Sequence, residues 1–356
     1  MTRLLLVPLV LGCAAMIQPS PPAADLSNGV IDATVYLPDT ARGFYRSTRF
    51  DWSGMIGRLE HAGHHYYGPW FTKRDDRVRD FVYDGADIVV SAQSGAVGPA
   101  EEFQRPLGYE TTPVGGTFVK VGVGVLRKFD AAAYSPFRPY ELVDAGHWSS
   151  TTTATSVTSK QRLEDAASGV AYVYEKTIRL TPGRAEMTIA HRLQNTGRVV
   201  IDTNVYDHNF LVLDDAVPAP GLTIRLPFTI DTPQVTNAAL AEVNDRAIIF
   251  KKRLDGEERV SMSIEGFGDT AADYDIRIEL PERDAAMRIR GDRPLSALSL
   301  WSIRSNVSIE PFIDIHVEPG ATFTWTYTYT WGEETRPSAR ERRPSPGGLG
   351  AVTGGA

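Results

Sequence analysis

The stretch Thr322–Trp331 reads TFTWTYTYTW, in which threonines alternate with aromatic residues along its whole length. Successive side chains of a β-strand point to opposite faces, so an extended chain puts every aromatic group on one face and every threonine on the other. A helix would scatter both kinds around its circumference. The stretch therefore predicts a strand with one face in an apolar core.

The same period of two recurs upstream of this strand. A hairpin is predicted with arms over residues 172–180 and 187–193, joined by the turn 181–184, which reads TPGR. Residues 119–125 and 199–213 predict two more strands. Shorter strands are predicted within residues 223–230, 247–252, 259–264, 275–280 and 296–303, and one short helix over 237–243. The sequence thus predicts an all-β protein of mostly antiparallel strands.

Composition sets the broad class of the protein. The 356 residues are 42% hydrophobic and 23% charged, which is ordinary for a globular protein with a large core. The 37 Lys and Arg against 44 Asp and Glu give a net charge of -7. No basic stripe interleaved with aromatic residues is present in the body, which argues against nucleic acid as a partner.

The N-terminus follows the order of a secretory signal over residues 1–15, with Arg3, an apolar run and then small residues. Cys13, the only cysteine, ends a Val-Leu-Gly-Cys sequence similar to a bacterial lipobox, so lipidation and simple cleavage after Ala15 are both open. We expect an exported protein, periplasmic or at the cell surface, whose contact with a membrane is through such a lipid. Residues 16–27 are interpreted as a Pro-rich tether, 28–332 as one domain and 333–356 as a disordered tail.

Candidate functional residues begin with the segment 204–210. Alternation places Asn204, Tyr206, His208 and Phe210 on one face of a strand. A core face would be aliphatic, so a face that mixes polar and aromatic groups predicts the lining of a wet cleft. His208 is a candidate catalytic residue, with a buried structural histidine as the alternative.

Two further segments carry candidates for the same cleft. Glu310 shares a strand face with Phe312, and a carboxylate within a strand is costly unless it is exposed or has a function. We interpret Glu310 as a candidate general base, with an exposed edge glutamate as the alternative. An early segment holds Arg49, Asp51 and Trp52, a mixture that suits stacking and hydrogen bonding to sugar hydroxyls.

Other charged residues are weaker candidates. Glu101 and Glu102 are adjacent and would point to opposite faces of a strand, so only one of them is expected to reach the cleft. Residues 61–65 contain three histidines, but no Asp or Cys stands at a metal-motif spacing from them, and no metal site is predicted. His191 shares a face with aliphatic residues and is interpreted as a core histidine.

Five segments, taken in order, resemble the galactose mutarotase-like (aldose 1-epimerase-like) proteins over nearly the whole body. They are residues 49–52, 98–103, 115–118 with the valine-rich strand that follows, 206–210 and 310–312. The resemblance implies a β-supersandwich of mostly antiparallel strands in one domain. It also implies a general acid at His208, a general base at Glu310 and a sugar-binding residue at Arg49, with no cofactor. The second histidine of the family, in a His-Gly-Gly-like motif, has no match here.

The reaction of the family needs a matched acid and base at the anomeric carbon of a sugar. Glu310 would take the proton of the anomeric hydroxyl while His208 protonates the ring oxygen, and an anionic Glu310 would raise the pKa of His208. A sugar between the two groups predicts a separation of roughly 5–8 Å, with Arg49 on the rim of the cleft.

Two other classes of function stay open. Sandwiches of this kind also host polysaccharide lyases, in which Tyr206 and His208 would remove a proton beside a uronate carboxyl. A carbohydrate-binding protein without catalysis is the third class, and the missing family histidine favours it. In each case the partner is a mono- or oligosaccharide.

Overall fold

A computed structural model describes residues 20–216, 218–231, 235 and 237–332. In chain order the strands are β1 (Ala23–Ser27), β2 (Ile31–Tyr36), β3 (Ile56–His61), β4 (His64–Tyr67), β5 (Lys73–Arg74), β6 (Phe81–Asp84), β7 (Asp87–Val90), β8 (Gly98–Phe103), β9 (Thr117–Lys120), β10 (Gly124–Arg127), β11 (Glu141–Asp144), β12 (His147–Thr152), β13 (Ser156–Asp165), β14 (Val170–Leu180), β15 (Glu186–Asn195), β16 (Ile201–Phe210), β17 (Thr223–Arg225), β18 (Ala241–Asn244), β19 (Ala247–Phe250), β20 (Val260–Ser263), β21 (Asp275–Leu280), β22 (Ala285–Gly291), β23 (Ala297–Ile303), β24 (Asn306–Val317) and β25 (Thr322–Trp331). Three short 3₁₀ helices span Leu213–Asp215, Ala271–Asp273 and Pro281–Arg283.

Two large sheets and three smaller ones are built from these strands. A ten-stranded antiparallel sheet has the order β12-β13-β14-β15-β25-β22-β21-β17-β19-β18, and a five-stranded sheet has the order β20-β23-β24-β16-β8. The four-stranded sheet β1-β2-β3-β4 is linked to the five-stranded one through a bridge between Tyr67 and Leu211. The small sheets are β11-β10-β9 and β5-β7-β6. The all-β, mostly antiparallel architecture predicted from the sequence is confirmed.

The strongest sequence patterns form the centre of the ten-stranded sheet. The aromatic side chains of β25 from Trp325 onward are at most 1% exposed, because that face packs into the main core. β14 and β15 form the predicted hairpin, pairing from Tyr172 opposite Asn195 to Leu180 opposite Met187. Alternation therefore identified both the strands and the faces that they bury.

Two predicted elements are wrong. Residues 119–125 are not one strand, because the chain reverses between β9 and β10, with Gly124 opposite Lys120. Gly122 in that turn has φ of 75°, and a Cβ there would lie 2.8 Å from Asp51, so the turn requires glycine. The predicted helix over residues 237–243 is instead a turn followed by β18.

The N-terminal boundary of the folded part also differs from the prediction. Ala23–Ser27 lies within the predicted tether, but this segment pairs along its whole length with β2, and its Leu26 is buried. The tether interpretation is wrong for these residues. The segment forms the edge strand of a sheet and buries the apolar side chain of Leu26. The predicted signal segment, Cys13 and the tail at 333–356 lie outside the described residues. Within the described part, no helix is long and apolar enough to cross a membrane.

The five-stranded sheet is covered on both of its faces. One face packs against the ten-stranded sheet through aliphatic residues such as Val205 and Ile309. The other face lies beneath a second, aromatic-rich core that includes Phe50, Trp70 and Phe210. Polar groups on this second face lie between a rigid sheet and a cover of loops, which is where binding sites are commonly found.

Candidate functional site

Neighbouring strands β16 and β24 bring the two segments with catalytic candidates together. Tyr206 is directly opposite Phe312 in this antiparallel pair, and the two rings stack with centroids 4.6 Å apart. The His208 ring stacks on Phe210 at 3.8 Å. The predicted alternation of both strands therefore holds, and it places His208 and Glu310 on the same sheet face.

His208 and Glu310 form a direct pair at the floor of the site. His208 Nε2 lies 3.2 Å from Glu310 Oε1. Ser299 donates a hydrogen bond of 2.7 Å to Glu310 Oε2, and Ser308 Oγ lies 2.6 Å from His208 Nδ1. The predicted separation of roughly 5–8 Å is wrong, because adjacent strands of one sheet bring side chains on the same face into contact.

Burial sets the protonation of this pair. It raises the pKa of Glu310 to about 7 and lowers the pKa of His208 well below its usual value, with nearby Arg49 adding to the second effect. The expectation that Glu310 raises the pKa of His208 is therefore wrong in direction. Near neutral pH the pair favours a neutral imidazole beside a carboxyl group that is protonated in a large fraction of molecules. In that state the Glu310 carboxyl O–H can donate a hydrogen bond to His208 Nε2. The Nδ1–H group of His208 can then donate to Ser308 Oγ.

A cavity of about 290 Å³ opens above the pair, close to the lower end of the usual range for small-molecule sites. Its floor includes His208, Glu310 and Ser299. Its aromatic walls are Trp70, Phe81, Phe137, Phe210 and Trp301, and its polar walls include Arg49, Asp80, Ser94 and Ser263. Aromatic faces beside hydroxyl and charged groups suit a ligand that has both apolar faces and many hydroxyls.

Arg49 is held at the cavity wall by a second buried network. Its Nε donates to Glu102 at 2.9 Å, and one terminal nitrogen donates to the Tyr206 hydroxyl at 3.0 Å. Lys120, which is 0% exposed, binds the other oxygen of Glu102 at 3.0 Å. Although burial works in the opposite direction, Lys120 and Arg49 hold the pKa of Glu102 below its usual value. Glu102 is thus an anion that holds Arg49 in place. Arg49 is buried in the cavity wall, so the prediction that it lies on the rim of the cleft is wrong.

Solved structures share this architecture at low sequence identity. A structure named a putative aldose 1-epimerase from Escherichia coli K12 has a TM-score of 0.51 and 13% identity, over 87% of this chain and 98% of that one. The chain has the galactose mutarotase-like fold. The Slr1438 protein from Synechocystis sp. PCC 6803 has a TM-score of 0.49 and 12% identity, over 94% of this chain and 100% of that one. No protein-family model and no curated protein matches the sequence.

Three residues predicted to line the cleft of this mutarotase-like fold lie elsewhere. Asp51 is 0% exposed and accepts a hydrogen bond from Tyr174 at 2.9 Å on the inner side of the sheet. Trp52 donates its indole N–H to Ser47 and stacks on Trp148. Those predictions are wrong because both residues lie in an irregular loop, where the alternation of a strand does not determine the direction of a side chain.

Glu101 is the third residue that lies away from the cavity. It points into the interior, as expected for one of two adjacent glutamates, and its neighbour Glu102 is the one that reaches the cleft side. Of the remaining candidates, Tyr206 and Phe312 pack beside the pair. The Tyr206 hydroxyl donates to Glu102 at 2.8 Å, and burial raises the pKa of Tyr206 well above its usual value. That state makes Tyr206 a poor base for lyase chemistry.

Asp51 and Glu101 belong to a set of buried charged residues between the two large sheets. Lys176 is in ion-pair contact with Asp51 at 2.6 Å and also with Glu101, and Glu101 lies 2.8 Å from His191 Nε2. Asp207 accepts a hydrogen bond from Tyr329 in the same region. We call this set the interior cluster: Asp51, Glu101, Lys176, His191 and Asp207. His191 is a core histidine, as predicted, but it has a carboxylate partner.

Sequence reasoning missed several residues of the site. Ser299 and Trp301 lie two apart in β23, so the alternation of that predicted strand contained a usable signal. Trp70 reaches the cavity from a loop, where no periodicity marks it, and Phe81 from the start of the four-residue strand β6, which is too short to be predicted from alternation. The valine-rich run predicts one continuous strand, and that pattern gives no signal for Lys120.

The histidine group near the start of the chain forms no metal cluster. His64 Nδ1 lies 2.8 Å from Asp214, a partner supplied by a distant segment. Within the described residues, no three or more His, Cys, Asp or Glu side chains come together in a way that could hold a metal ion.

Proposed function

We propose that the cavity binds a sugar and that the His208–Glu310 pair transfers protons at its anomeric centre, as in an aldose 1-epimerase. The observation that carries this proposal is the buried carboxyl–imidazole contact of 3.2 Å, which opens onto a cavity with aromatic walls and Arg49. Acid–base catalysis needs groups whose pKa values keep one protonated and the other free at the working pH. This pair has that property.

The protonation state favours roles that are exchanged relative to the family pattern. Neutral His208 takes the proton from the anomeric hydroxyl O1 as Glu310 gives its proton to the ring oxygen O5. The bond between C1 and O5 breaks, and the O1–C1 bond becomes the carbonyl of the open aldehyde. Rotation about the bond beside C1 and reclosure with the opposite proton flow give the other anomer.

The close contact of the pair is compatible with this step. O1 and O5 are bonded to the same carbon, so an acid and a base that touch each other can address both oxygens from one side. Ser308 and Ser299 hold the outer ends of the pair and keep both groups oriented toward the cavity. Arg49 uses two of its nitrogens on Glu102 and Tyr206. Its third nitrogen donates to Ser94 at 3.4 Å and lies 3.7 Å from Asp80, and its second N–H can donate to a sugar hydroxyl in the cavity.

The test is catalysis of mutarotation. A fresh solution of one anomer of an aldose, such as α-galactose or α-glucose, is followed by polarimetry with wild type, His208→Ala and Glu310→Gln. We expect an acceleration by wild type and a loss of about 100-fold or more in each variant. Asp202→Asn, an exposed change on β16, is the control for handling and folding. Equal rates in all four proteins would overturn the proposal, and sugar binding without acceleration by wild type would indicate a carbohydrate-binding protein.

A further inference from the structure

A second cavity, of about 680 Å³, adjoins the proposed sugar pocket. Phe137 lines both cavities. Arg79 lines the second cavity, and the next residue, Asp80, lines the sugar pocket. In the same way, Gln93 lines the second cavity and Ser94 lines the sugar pocket. A ligand longer than one sugar unit can therefore pass over Phe137 from the first cavity into the second, which we call the arginine groove.

The arginine groove is rich in arginine although the chain as a whole has a net charge of -7. Arg77, Arg79 and Arg138 line it, against one acidic residue, Asp76. Arg77 and Arg138 are paired with Asp75 and Asp130. Arg79, which is exposed, makes no hydrogen bond or ion pair with any residue that the structure describes.

The wall behind the groove is connected to the proposed catalytic pocket. Tyr134 lines the groove, and its hydroxyl accepts a hydrogen bond of 2.7 Å from the buried Lys120. Lys120 in turn binds Glu102, the carboxylate that holds Arg49. The guanidinium of Arg49 also lies 4.5 Å from the centroid of the Phe137 ring. A buried ion network thus fixes the surface between the two cavities, so a bound chain meets a preformed path.

The geometry points to an extended subsite in the arginine groove for a sugar unit that carries an oxyanion, adjacent to the unit at His208 and Glu310. Arginine guanidinium groups match the two oxygens of a carboxylate or sulfate with paired hydrogen bonds. The ligand class is therefore an acidic oligosaccharide, with uronate and sulfated sugars as the two sources of the oxyanion. This inference rests on the proposed function, because it needs a sugar in the first cavity.

The test is calorimetric binding of three trisaccharides: trigalacturonate, a sulfated galactan trisaccharide and neutral galactotriose. We expect at least one anionic trisaccharide to bind wild type about tenfold or more tightly than the neutral one, as charge-assisted hydrogen bonds allow. Which anionic sugar binds identifies the source of the oxyanion. Arg79→Ala should remove most of this preference and Arg79→Glu should reverse it. Arg162→Ala, a change at an exposed arginine of β13, should leave it intact.

The outcomes separate this inference from the proposed function. Equal affinity for neutral and anionic trisaccharides, or an unchanged preference in Arg79→Glu, overturns the arginine groove as a subsite even if wild type accelerates mutarotation. An anionic preference that depends on Arg79 supports the subsite even if wild type does not accelerate mutarotation, and in that case the catalytic proposal alone fails. No binding of any of the three sugars overturns the subsite.

Discussion

Strands β8 and β16 each carry two polar, titratable residues in adjacent positions, and the pleat sends the two members to opposite faces of one sheet. Glu101 and Asp207 enter the interior cluster, whereas Glu102 and His208 face the cleft. All four side chains are buried. What differs is access, because only the cleft side opens onto a cavity.

The comparison teaches that buried charge alone does not identify a functional site. In the interior cluster Lys176 compensates two carboxylates, and a packed core closes around them. In the cleft, near neutral pH, His208 is neutral and Glu310 is protonated in a large fraction of molecules, and both side chains line the cavity. We therefore expect substitutions in the interior cluster to affect stability, and substitutions at the cleft pair to affect the reaction.

The largest effect is expected from Lys176→Met in the interior cluster. Removal of the ammonium leaves Asp51 without a cationic partner and Glu101 with His191 alone, so the free energy of unfolding should fall by about 3–5 kcal/mol. Urea denaturation measures this. Lys160→Met removes a more exposed ion pair with Glu175 on the neighbouring strand and should cost under about 1 kcal/mol. Equal losses in the two variants would contradict the assignment of a compensating role to Lys176.

An intermediate effect is expected in the pH dependence of the proposed mutarotation. Glu310 must be protonated and His208 neutral, and the pKa of Glu310 is raised to about 7 whereas that of His208 is lowered. The enzymatic rate, after subtraction of the uncatalysed rate, should therefore fall as pH rises above 7, approaching about tenfold per pH unit. An enzymatic rate that increases between pH 6 and 8 would instead assign the base role to an ionised Glu310.

The smallest effect is expected from Asp207→Asn. Burial, with the nearby charge of Glu101, raises the pKa of Asp207 from 3.8 to about 7. A carboxyl with a raised pKa stabilises the fold when protonated, and this contribution is lost as pH rises from about 4 to about 7. Over that pH range, the unfolding free energy of the variant should decline less steeply than that of wild type. The two slopes should differ by at most about 1.4 kcal/mol per pH unit. Some decline should remain, because Glu310 titrates in the same range.

The matched control for that measurement is Asp202→Asn, at the exposed end of the same strand. Its stability curve should follow that of wild type. A slope in Asp207→Asn identical to that of wild type would show that Asp207 is not held protonated by its surroundings.

Sequence periodicity predicted the parts of the fold and site that lie on regular strands. It placed Tyr206, His208 and Phe210 on one face and Glu101 and Glu102 on opposite faces. In a strand, the position of a residue in the sequence determines the face to which its side chain points. It also contained an unused signal. Lys176 lies on the buried face of the predicted hairpin, and a buried lysine requires a buried carboxylate partner.

The remaining features depend on contacts between distant segments. Asp51 lies in a loop, so its position inside the interior cluster follows from packing against β14. Trp70 reaches the cavity from a loop and Phe81 from the four-residue strand β6, which is too short for a clear sequence period. The direct contact of His208 with Glu310 follows from the pairing of β16 with β24, which are separated in the chain by seven other strands. Local patterns do not specify which strands become neighbours.

The most direct test of the account compares two glutamates on opposite sides of the sheet, through Glu310→Gln and Glu101→Gln. Unfolding free energy and mutarotation rate per folded molecule are measured for both. We expect Glu310→Gln to keep nearly all of its stability and lose about 100-fold or more of its rate. Glu101→Gln should lose about 3 kcal/mol or more of stability and keep its rate. A folded, fully active Glu310→Gln protein, or a stable Glu101→Gln protein without activity, would contradict the assignment of chemistry to the cleft and stability to the interior.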